Sequence, residues 1–112
     1  MTSPAPLPAI PTTKILAIGT IVPGADLQQV QRILPAEVRE TARLYLDGKI
    51  DQWHSLNDRR GVVFLLTLTD IQAAHAMLEE LPLGKARLMT FELMPIGPLK
   101  PLWHLVDPPA AS

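Results

Sequence analysis

The sequence predicts an α+β domain: a four-stranded antiparallel sheet with two helices, in the order strand, helix, strand, strand, helix, strand. Three observations lead there. Four short segments carry alternating or unbroken apolar residues and are separated by turn residues. Two longer segments space their apolar residues every three to four positions, as helices do. Three of the four strand segments are largely apolar on both faces, whereas an antiparallel strand with one wet face alternates apolar and polar residues. The order is the split β-α-β pattern of ferredoxin-like folds.

The elements follow in turn. Twelve prolines frame the folded part. Pro4, Pro6, Pro8 and Pro11 mark residues 1–13 as a disordered, proline-rich arm, and residues 14–98 form the domain. Lys14 to Val22 reads as a strand, with Ile15, Ala17 and Ile21 on one face and Leu16, Ile18 and Val22 on the other. Pro23-Gly24 ends it. Ala25 to Leu34 has helical spacing through Leu27, Val30 and Leu34. Pro35 is expected to break that helix, because proline lacks the N–H donor and crowds the preceding turn. A second helical piece then carries Val38, Ala42 and Tyr45 on one stripe and ends at Asp47-Gly48.

Gly48 to Leu68 reads as a hairpin that turns near Asn57–Gly61. Its first arm holds most of the residues able to do chemistry; its second, from Val62, is apolar on both faces. Thr69 opens a helix with Gln72 three residues on, a capping box, and Ile71, Ala74, Leu78 and Leu81 form its core stripe. Pro82 and Gly84 stop it. Ala86 to Ile96 is the last strand, with Arg87, Met89, Phe91 and Leu93 on one face and Leu88, Thr90, Glu92, Met94 and Ile96 on the other. Residues 99–112 are expected to be an extended arm packing on a partner subunit, since Leu99, Leu102, Trp103, Leu105 and Val106 are too apolar for a free end.

Right-handed crossovers put both helices on one face of the sheet. The other face is left bare yet apolar, which marks an interface. The economical solution is a homodimer, or a higher homo-oligomer, whose sheets pack face to face as a sandwich or closed barrel. The formal net charge is −1 with scattered Lys and Arg, so nucleic acid is not an expected partner. Cysteine is absent, which excludes disulfides, thiolate nucleophiles and thiolate metal sites. No apolar run approaches the roughly 20 residues that span a bilayer. The start of the chain lacks the basic and apolar regions of a signal peptide, so a soluble cytoplasmic protein is the expectation.

Several pieces, taken in order, resemble the muconolactone isomerase-like proteins of the dimeric α+β barrel superfamily. They are Gly48-Lys49 before the strand, Trp53 with His54, Arg59 in the turn, Gly61 opening the next strand, and Leu81-Pro82-Leu83 after the second helix. The resemblance spans roughly residues 14–98. Pro35 and the proline-rich tail depart from the shorter isomerases. The resemblance implies a cofactor-free isomerase that shifts a proton within a small lactone or carboxylated molecule. That chemistry takes a base at a C–H bond, stabilisation of the dienolate, and a cation for the carboxylate.

His54 is a candidate proton shuttle, since histidine titrates near neutral pH. Alternation puts it with Ile50 and Gln52, and Trp53 with Lys49 and Asp51, unless a bulge intervenes. Glu92 is a carboxylate in an apolar strand, where burial would make it a base. Arg59 and Lys49 are candidate carboxylate anchors, Trp53 a pocket wall, and Tyr45 a hydroxyl at the pocket edge. His54, His75 and His104 have no metal-ligand spacing, so no metal is expected. The alternative to an enzyme is a non-catalytic dimeric barrel that binds a small apolar ligand or acts as a stress-related accessory protein. Polar groups converging on a cavity between sheet and helices favour catalysis; a wall of Leu, Val and Met alone disfavours it.

Overall fold

A computed structural model describes residues 10–99. Its elements run β1 (Lys14–Ile21), α1 (Leu27–Leu46), β2 (Ile50–Ser55), β3 (Gly61–Leu66), α2 (Ile71–Glu79), α3 (Pro82–Lys85) and β4 (Met89–Ile96). The strands form one antiparallel sheet in the order β2-β3-β1-β4. This α+β arrangement is consistent with the ferredoxin-like expectation.

One face of the sheet makes the core. Ile15, Ala17, Ile50, Phe64 and Leu66 are buried against Ala74 and Leu78 of α2 and against Leu81. A second cluster of Leu83, Leu88 and Met89 reaches Val30 and Ile33 of α1. All three helices therefore lie on this face, and Leu16, Ile18, Val63 and Leu65 remain half-buried on the other.

Four local readings of the sequence are corrected. Pro35 does not break the helix: α1 is continuous from Leu27 to Leu46, with Asp26 capping its first turn through Gln28 N at 3.0 Å. Pro35 and Gln31 are both exposed, so water can serve the carbonyl that proline leaves unpaired. The cap of α2 is Asp70 rather than Thr69; its side chain accepts from Gln72 N and Ala73 N. A bulge between Ile50 and Gln52 puts Ile50 opposite Leu66 and Trp53 opposite Phe64, on the core face together. Finally, Pro82 starts a short helix rather than only ending one. The strand then begins at Met89, because Arg87 adopts φ 58° at the end of α3. Of the terminal arms, residues 1–9 and 100–112, with Leu102, Trp103, His104, Leu105 and Val106, lie outside the described residues.

Candidate functional site

Between α1 and the core face of the sheet lies an open cavity of about 380 Å³. Leu27, Val30, Leu34 and Val38 supply its helical wall; Trp53, Val62, Phe64 and Met89 supply its floor. The continuity of α1 explains the shape. Val30, Ile33, Glu37, Thr41 and Leu44 fall on one helical stripe, and this stripe turns inward. The only buried residues of α1 are two polar ones on it, Glu37 and Thr41. Val38, by contrast, is 58 % exposed at the cavity edge.

Glu37 is the central group. It is 6 % exposed, and its Oε1 accepts from Leu83 N at 2.8 Å. That amide belongs to the first turn of α3, which has no cap from its own N-cap residue, Leu81. The carboxylate thus caps α3 from another helix. Burial pushes the Glu37 carboxyl above its ordinary 4.5, opposed by the Leu83 amide and, more weakly, by the Thr41 hydroxyl. Thr41 Oγ1 donates to the Glu37 backbone carbonyl at 2.7 Å. Glu37 and Thr41 both line the cavity.

The residues singled out from sequence separate. Trp53 lines the cavity, and Tyr45 packs behind it with ring centroids 5.3 Å apart. His54 forms part of the cavity edge, but its register opposite Val63 sends its side chain to the open face, where Nε2 meets Gln52 Oε1 at 3.2 Å. Glu92 is exposed on that open face, so the burial expected for it is corrected. Arg59 pairs with neighbouring Asp58 at 3.3 Å and does not line the cavity; Arg60 does. No ion pair engages Arg60 among the described residues. Lys49 is exposed, and its backbone closes the end of α1 through the Leu44 carbonyl. His75 pairs with Glu79 one turn on, at 3.3 Å.

A carboxylate held largely out of water is a stronger base than an exposed one. Glu37 in an apolar cavity rimmed by Arg60, Ser55 and Gln31 is therefore suited to moving a proton on a guest with an acidic end. Among the described residues no three His, Asp or Glu side chains gather as a metal site would require. None of the helices there is long and apolar enough to cross a membrane. The sequence matches no known family model, and no curated protein matches it.

Proposed function

We propose that this protein is a muconolactone isomerase-like, dimeric α+β barrel enzyme that moves a proton within a small unsaturated lactone or carboxylated molecule. The supporting observation is Glu37, a buried carboxylate with raised proton affinity on the wall of an apolar cavity. Its carboxylate takes a proton from a carbon beside the substrate's carbonyl. The electron pair delocalises as a dienolate, and the protonated Glu37 returns the proton at the far carbon, shifting the double bond. Arg60 at the cavity edge anchors the substrate carboxylate, the role expected of Arg59 or Lys49.

The largely apolar wall also suits a second reading, a barrel that binds a small apolar ligand without turnover. Proton NMR in D₂O separates the two. Muconolactone and a panel of unsaturated lactones and carboxylates are incubated with the protein. Exchange at the activated carbon above the buffer rate is expected, falling by about 10²-fold or more in Glu37→Gln. Glutamine keeps an oxygen for the Leu83 amide, so the fold is retained while the base is lost. No exchange with any substrate by the parent protein refutes the enzyme reading; failure with muconolactone alone refutes only that substrate.

A further inference from the structure

The open face of the sheet carries an acid and a base in one row. Cross-strand pairing places Glu92 opposite Ile18, Ile18 opposite Val63, and Val63 opposite His54. The row therefore runs Glu92, Ile18, Val63, His54 across β4, β1, β3 and β2, with a carboxylate at one edge, an imidazole at the other and two apolar residues between. The adjacent row on the same face runs Met94, Leu16, Leu65, Gln52. Its two central residues complete an apolar patch with Ile18 and Val63.

We propose that two copies join by these faces about a twofold axis parallel to the strands, Glu92 of each copy pairing with His54 of the other, and that the dimer tightens as the pH falls. The inference rests on the dimer of the proposed function and adds its geometry and its control. A twofold interface brings residue i against j and j against i. An axis parallel to the strands between β1 and β3 lays β4 of one copy over β2 of the second and superposes the two rows end for end. Each carboxylate then meets an imidazole. An axis perpendicular to the strands would instead stack Glu92 on Glu92 and His54 on His54, and like charges directly opposed repel. The apolar middle is the same in both, so the row ends select the first. Packed sheets stand about 10 Å apart, a gap that a glutamate and a histidine reaching from opposite sides can bridge.

The surroundings leave these groups to each other. Lys14 of β1 shares the face, but Asp51 of β2 engages it at 3.4 Å. On β2, Gln52 holds one ring nitrogen of His54, leaving the other for the second copy. Neither β3 nor the rest of β4 puts a charged side chain on this face. The helices lie on the opposite side.

Sedimentation equilibrium tests this. The dimer is expected to be about tenfold tighter at about pH 5.5 than at about pH 8. Glu92→Gln and His54→Gln should each flatten that dependence. Glu92→His alone should weaken the dimer at the lower pH, and combining it with His54→Glu should restore it. Circular dichroism on each variant confirms that it is folded. A dimer whose affinity is independent of pH, or a Glu92→Gln variant with the parent's pH dependence, overturns the crossed pair and leaves the face-to-face dimer standing. A monomer at both pH values overturns both, and neither result bears on proton exchange in the cavity.

Discussion

Glu37 is held by two opposed demands. The Leu83 amide favours its charge, and burial opposes it; burial prevails, since the carboxyl is raised above 4.5. The folded state therefore binds the proton more tightly than the unfolded chain does. Its contribution to stability is complete below about pH 4.5 and is lost as the pH rises through the raised folded value. Glu37→Gln keeps the acceptor without the charge. It should melt higher than the parent at neutral pH, the difference shrinking toward zero near pH 4, as thermal unfolding across that range will show. A parent that instead gains stability over that rise, relative to the variant, contradicts the assignment. Glu37 was missed in the sequence for a specific reason. Restarting the helix at Pro35 shifted the inward stripe to Val38, Ala42 and Tyr45. Carrying the phase of Val30 and Ile33 through the proline leads to Glu37 and Thr41. The other half of the signal, the Leu83 amide, lies 46 residues away and is set only by tertiary structure.

At the level of elements, the same helix ending occurs twice with different residues. After α1, Gly48 N bonds to the Tyr45 carbonyl and Lys49 N to the Leu44 carbonyl. After α3, Arg87 N bonds to Gly84 and Leu88 N to Leu83 in the identical pattern. Both turn residues are left-handed, Gly48 at φ 80° and Arg87 at φ 58°. Glycine at the first announced the end of α1 in the sequence. Arginine at the second announced nothing, and Ala86 to Leu88 read as strand. A left-handed non-glycine residue is strained, so Arg87→Gly should stabilise the protein by about 1 kcal/mol, measured by urea unfolding. The change touches neither the cavity nor the open face. An equal or lower stability would show that the arginine side chain compensates for its backbone. The strand periods, by contrast, were legible because packing on a sheet imposes alternation directly: Ile15 and Ala17 are buried and Leu16 and Ile18 are not.

For the whole molecule, the two faces of the sheet divide the tasks. The covered face carries α1 and the cavity, and the open face carries a patch of Leu16, Ile18, Val63 and Leu65. The doubly apolar pattern of β1 and β3 made this division readable from sequence. It could not reveal which polar groups each face takes, because one bulged residue in β2 decides that Trp53 joins the cavity and His54 the patch. The patch gives a test that is independent of its charged ends. Ile18→Lys places an ammonium at the centre of the row beside Glu92 of its own sheet, where a face-to-face dimer would press two such charges into the apolar middle and draw Glu92 away from the second copy. Such burial costs several kcal/mol per charge, so the dissociation constant should rise by at least about 10²-fold at every pH. The monomer should stay folded, because Ile18 faces away from the core formed by Ile15 and Ala17. Light scattering after size exclusion gives the assembly, and circular dichroism gives the fold. A folded Ile18→Lys protein that still elutes as a dimer would place the subunit contact elsewhere. A proline-rich tail holding the dimer together would then become the next segment to remove.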